Sequence, residues 1–140
     1  MITDEGYAQQ MSNNNTRGID CSAFVTWVLI QYGYTEFIGQ VQLSTNDFLC
    51  WILGSPGANY DLSQYGWEWA TTATETPQPG DFLLKASQSR HIEVFAGDGV
   101  GTYGAGSTNQ IRKEISYKNC STSRIINEGH FDYIIRVTKK

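Results

Sequence analysis

Cys21 and His91 are the two residues whose types and settings could do nucleophilic chemistry together. Cys21 stands where the polar Gly18-Ile19-Asp20 gives way to the apolar run Ala23-Phe24-Val25-Thr26-Trp27-Val28-Leu29. If that run is a helix, Cys21 lies in its first turn. Unpaired backbone N–H groups and the positive end of the helix dipole favour a thiolate there. Such positions can lower a cysteine pKa from ~8.5 into the range ~3.5–7.5. Taken alone, a cysteine in an apolar helix is more often a packing residue. His91 follows a polar loop, Ser87 to Arg90, and opens the alternating segment His91-Ile92-Glu93-Val94-Phe95-Ala96. Taken alone it is a half-exposed strand histidine. A thiol on a helix start and an imidazole on a strand start form a nucleophile and its base. His130, in a loop near the C-terminal end, is the weaker candidate base.

The elements that must hold this pair are legible as patterns. Residues 20–34 read as a first helix. Asp20 is a good N-cap, and Phe24, Val25, Val28, Leu29 and Tyr32 recur at spacings of three and four. Gly33 marks its end. A second, short helix runs from Ser44 to Leu53, with Ser44 and Asp47 spaced as a capping box. Gly54-Ser55-Pro56-Gly57 stops it. Residues 55–80 read as loop, with Trp67 and Trp69 in a short extended segment, and Thr76 to Asp81 form a turn. Strands are expected over 82–85, 91–96, 100–103, 110–115 and 131–137. Asp98-Gly99 gives a two-residue hairpin turn between the second and third of these. Helices first and antiparallel strands after make an α+β domain rather than a βαβ one.

Composition sets the class. The 140 residues fit a single domain, residues 1–140. A chain of that size buries roughly 68% of its unfolded surface, enough for a core without disulfide staples. Net charge is −4, and no Lys/Arg cluster offers a nucleic-acid surface. No stretch approaches the ~20 apolar residues that cross a bilayer. The first residues lack the basic and apolar regions of a secretory signal. Three cysteines, two histidines and no CxxC pair argue against zinc. Cys50 reads as buried and Cys120 as a loop residue, and a bridge between them is open. No metal and no cofactor is expected, and a monomer is.

Asp20-Cys21-Ser22-Ala23-Phe24-Val25 resembles the D-C-S-G-F-V signature of the NlpC-type cell-wall peptidases. Pro79-Gly80-Asp81, followed by His91-Ile92-Glu93-Val94-Phe95-Ala96-Gly97, is similar to that family's P-G-D and H-V-x-I-Y-x-G block. Tyr7 stands where the family has a tyrosine ahead of its cysteine. The likeness covers roughly residues 7–34 and 77–107.

The resemblance implies a papain-like fold, with N-terminal helices packed on a central antiparallel sheet. It implies a bacterial peptidoglycan hydrolase that cuts amide bonds of the stem peptide, typically after γ-D-glutamate. Cys21 would attack the carbonyl and form a thioester, and His91 would move the proton. Tyr7, Asp20 and Ser22 would shape the site and contact substrate. Asp20 can be an N-cap as well, and Ser22 a first-turn residue. The resemblance also implies action outside the cell or at the wall. Without a signal sequence, the chain would be intracellular, leave by another route, be an excised domain, or be a phage lysin. Two other activities remain open: an N-acetylmuramoyl-L-alanine amidase, and a weakened module that only binds the wall.

One departure stands out. The family's third residue, usually His, Asn or Gln, falls on Gly104, which has no side chain. A two-residue turn at Asp98-Gly99 would pair residue 93 with 104. Glu93 would then share a strand face with His91, and is the expected third residue of the site. Asn109, a backbone carbonyl or water are the alternatives.

Overall fold

The computed structural model describes residues 21–39, 42–86, 90–97, 101–104, 116–117 and 130–140. The described chain is α+β. Helix α1 is Cys21–Gln31 and α2 is Thr45–Leu53, and 3-10 turns cover Thr35–Phe37 and Leu62–Tyr65. Strands β1 (Glu68–Thr71), β2 (Phe82–Lys85), β3 (His91–Gly97), β4 (Gly101–Gly104), β5 (Ser116–Tyr117) and β6 (Tyr133–Arg136) follow. They form one sheet in the order β1-β6-β2-β3-β4-β5. Every neighbouring pair is antiparallel.

Helix α1 is buried on nearly every side, from Ser22 to Thr26 and from Val28 to Ile30. The expected single apolar face understates this, because α1 is a central helix rather than a surface one. It packs on the sheet through Phe24, Val28 and Leu29, in one core with Phe82, Leu84, Ile92, Val94 and Ile135. Leu83, Phe95, Phe131 and Ile134 form a second, smaller cluster. The alternation of β2 and β3 explains the division, since even-numbered residues of β3 serve the first core and Phe95 the second.

The helix ends follow their caps. Helix α1 stops at Gln31, three residues before the expected end, because Gly33 turns left-handed at φ 108°. Tyr34 N–H then donates to the Leu29 carbonyl and Gly33 N–H to the Ile30 carbonyl. That is a Schellman closure. In α2, Ser44 Oγ accepts from Asp47 N–H at 3.2 Å, and Asp47 Oδ2 accepts from Ser44 N–H at 2.9 Å. The expected capping box is therefore present. Asp47 Oδ1 also accepts from the backbone N–H groups of Asn59 and Tyr60, which fastens the following loop to the helix start.

Two strand expectations change. The last strand is shorter than 131–137, at Tyr133–Arg136. The β3–β4 hairpin does not follow the simple two-residue turn, since Gly97 pairs with Gly101 and the register shifts between Phe95 and Gly97. Gly97 and Gly101 both have positive φ, at 121° and 79°. The bulge restores the pairing of Phe95 with Thr102 and Val94 with Tyr103. Glu93 and Gly104 therefore face each other, as a simple turn would also have placed them. The strand expected over 110–115 lies outside the described residues.

Candidate active site

Cys21 opens α1 and His91 opens β3. The two element starts lie at one end of the sheet, close enough for the Cys21 side chain to act on the proton affinity of the His91 ring. Cys21 is partly buried, and the His91 side chain keeps 25% of its surface exposed. The imidazole can therefore be reached from solvent. Its Nε2 lies 2.8 Å from Glu93 Oε2, which leaves Nδ1 for Cys21.

Glu93 is buried, at 4% exposure. A carboxylate so placed must be compensated, because desolvation of an unpaired charge is costly. His91 supplies one partner. The Thr102 hydroxyl donates to Glu93 Oε1 at 2.5 Å and supplies another. Thr102 is itself fully buried.

These contacts set the proton affinity of His91. Burial of the ring works against its charge. Hydrogen bonds to Cys21 and Glu93, and the negative charge on both, outweigh it and raise the pKa from 6.5 to about 9. The ring is thus held as imidazolium across neutral pH. An imidazolium beside a cysteine stabilises the thiolate, the form that attacks carbonyl carbon.

Gly104 faces this carboxylate. A Cβ built there would lie 2.7 Å from Glu93 Oε2 and 2.8 Å from Glu93 Cγ. The space that a residue-104 side chain would use is filled by Glu93.

Of the other expected site residues, Ser22 is buried in the first turn of α1, and its carbonyl accepts from the Thr26 hydroxyl at 2.7 Å. Tyr7, Asp20 and Asn109 lie outside the described residues. Cys50 is a free thiol, so the bridge left open with Cys120 is not formed. The Asp81 of the Pro79-Gly80-Asp81 motif is structural. It is buried and takes a two-pronged contact from Arg136, at 3.1 Å from Nε and 2.7 Å from Nη2. Gly80, at φ 95° behind Pro79, gives the positive φ a type II turn needs.

Thr102 was not singled out from the sequence. The available signal was the alternation of the returning strand. With 93 opposite 104, residue 102 is the diagonal neighbour of Glu93 on the same face.

Among the described residues, no group of three His, Cys, Asp or Glu side chains could hold a metal ion. None of their helices is long and apolar enough to cross a membrane. No protein-family model, curated protein or solved structure matches the chain.

Proposed function

We propose that this chain is a cysteine peptidase that hydrolyses amide bonds in peptidoglycan stem peptides, built on a papain-like pairing of helix and sheet. The observation that carries the reading is that His91, first residue of β3, has one ring nitrogen held by buried Glu93 while its ring lies within electrostatic reach of Cys21, first residue of α1. A packing cysteine needs no imidazole, and a surface histidine needs no buried carboxylate behind it.

The chemistry follows from the geometry. The Cys21 thiolate adds to the amide carbonyl carbon, and the carbonyl oxygen takes the negative charge. Backbone N–H groups at the start of α1 stabilise that oxyanion. The His91 imidazolium gives its proton to the leaving amine as the C–N bond breaks, leaving a Cys21 thioester. Neutral His91 then takes a proton from water, the hydroxide displaces the sulfur, and the acid product leaves. Glu93 keeps the ring oriented and favours its charged form in the steps that need it. Tyr7, Asp20 and Ser22 are assigned to substrate contact by the resemblance to NlpC-type peptidases. The site of action is then the cell wall.

Digestion of purified sacculi, followed by mass spectrometry of the released fragments, tests this. The expected products are stem-peptide fragments cut after γ-D-glutamate, absent with Cys21→Ala. Release of intact stem peptides from glycan would instead assign an N-acetylmuramoyl-L-alanine amidase. Binding to sacculi without any products would leave a wall-binding module.

A further inference from the structure

We infer that Thr102 and Gly104 are positioning residues, built so that the group orienting His91 comes from its own strand rather than from the strand beside it. The inference rests on reading Cys21 and His91 as a catalytic pair. It adds that the bare Gly104 is a requirement of this site and not a defect in it.

Four observations carry the inference. Glu93 lies two residues from His91 on β3, and alternation puts both side chains on one face. Its Oε2 meets His91 Nε2 at 2.8 Å. Its Oε1 takes the Thr102 hydroxyl at 2.5 Å. The carboxylate is gripped at both oxygens along the cross-strand diagonal. Thr102 suits the task, because a β-branched residue on a strand has few χ1 choices and its hydroxyl holds one direction. A Cβ at residue 104 would then approach Glu93 Oε2, Cγ and Cδ at 2.7, 2.8 and 2.9 Å. Real Cβ contacts do not come that close. The strand backbone is fixed by pairing on both sides, so the side chain of Glu93 is what must move. It can move only by leaving His91. Even alanine at 104 is therefore expected to break the orienting contact while sparing the fold.

A side chain at 104 and a carboxylate at 93 thus exclude each other. Either can occupy the space behind the imidazole, and this chain uses residue 93. The sequence pattern that looks like a lost third residue is a relocation of it by one strand.

The test compares Gly104→Ala, Glu93→Gly, the double variant Glu93→Gly/Gly104→Asn, Thr102→Val and Thr102→Ser. Two readouts need no peptidoglycan. One is the His91 titration by proton NMR, assigned with His130→Gln. The other is the rate of Cys21 alkylation by iodoacetamide across pH, read by peptide mass. Gly104→Ala should lower the His91 pKa by at least about one unit from its raised position. It should slow alkylation of Cys21 near pH 7 while the thermal midpoint stays close to that of the parent. In the double variant, the losses should be smaller than the two single losses combined. Thr102→Val should slow alkylation and Thr102→Ser should restore it, which a purely structural threonine would not do. A Gly104→Ala protein with the parent's His91 titration and alkylation profile would overturn the inference, as would a Thr102→Val protein with both unchanged. Sacculus digestion is run in parallel. If the parent releases nothing while Gly104→Ala still shifts His91, the proposed substrate fails and the positioning stands.

Discussion

Cys21 and Cys50 are the free thiols among the described residues, and each belongs to a helix. Their surroundings share little else. Cys21 is the first residue of α1, partly exposed, within electrostatic reach of an imidazole that has a buried carboxylate behind it. Cys50 lies past the middle of α2, buried, with its sulfur 3.6 Å from the Pro56 carbonyl. It lines a cavity of about 330 Å³ with Trp51, Tyr60 and Leu62. A cavity beside a thiol would draw attention to Cys50. Chemistry directs it to Cys21, because a nucleophile needs a base and a cavity supplies none. In the α2 region, the buried charge of Asp47 is spent on backbone N–H groups, so it holds a loop and cannot serve a reaction. In the α1 region, the buried charge of Glu93 is directed at a titratable ring.

The largest effect should come from exchanging the two thiols' fates. Cys21→Ala is expected to lower sacculus hydrolysis by at least about a thousandfold, as removal of a catalytic nucleophile does. Its fold should be retained by circular dichroism. Cys50→Ala should keep activity within about twofold and lose about 1 kcal/mol of stability in urea, an ordinary cost for emptying part of a core site. Equal activity losses in both variants would dissolve the distinction between the regions.

Next in size is the carboxylate. Glu93→Gln should cost about ten- to a hundredfold in rate, part of the ~10²–10⁴ that positioned acid–base catalysis contributes. Without the negative charge, the His91 pKa should fall part of the way from about 9, since Cys21 also raises it, and the alkaline limb of the pH–rate profile should fall with it. A rate loss with an unmoved limb would assign Glu93 a packing role. Asp47→Ala makes the matching change in the other region. It removes the capping box and the loop anchor together. About 2 kcal/mol of stability should be lost, given roughly 1 kcal/mol for the cap and a similar amount for the loop bonds. The pH profile of activity at low temperature should not move.

What was legible in the sequence follows the same division. Local signals were read correctly where one residue fixes one bond. Ser44 and Asp47 cap α2, Gly33 and Gly54 close the helices, and the alternation from His91 to Phe95 gives a strand. The two 3-10 turns and the early end of α1 went unread, because short turns carry little periodicity. The site was legible as far as Cys21, His91 and the face shared with Glu93. Thr102 was not, because its role lies on a diagonal between two strands that no pattern within one strand signals, although the bulge between Phe95 and Gly97 leaves that register unchanged. The glycines at 97 and 101 are the sequence trace of that bulge, yet Gly97-Asp98-Gly99 reads equally as a plain turn.

A further expected effect is on stability, and it separates the regions by pH. His91 has a folded pKa raised to about 9 against 6.5 for the free residue. Between these values, the native state binds more protons than the unfolded chain, so stability falls as pH rises. The contribution of His91 is complete below about pH 6.5 and is lost as pH climbs through about 9. The contacts of Asp47 run to backbone N–H groups and set no histidine's charge, so they share nothing with this slope. Urea unfolding at pH 6.5, 8 and 9.5 should therefore show a steady loss of stability in the parent. The loss should be reduced in Glu93→Gln, whose histidine keeps only the part of its raised pKa that Cys21 supplies, and unchanged in Asp47→Ala, which starts lower and runs parallel. If Glu93→Gln keeps the full slope, the charge on His91 owes little to Glu93, and the carboxylate's hold on the ring would be one of geometry alone.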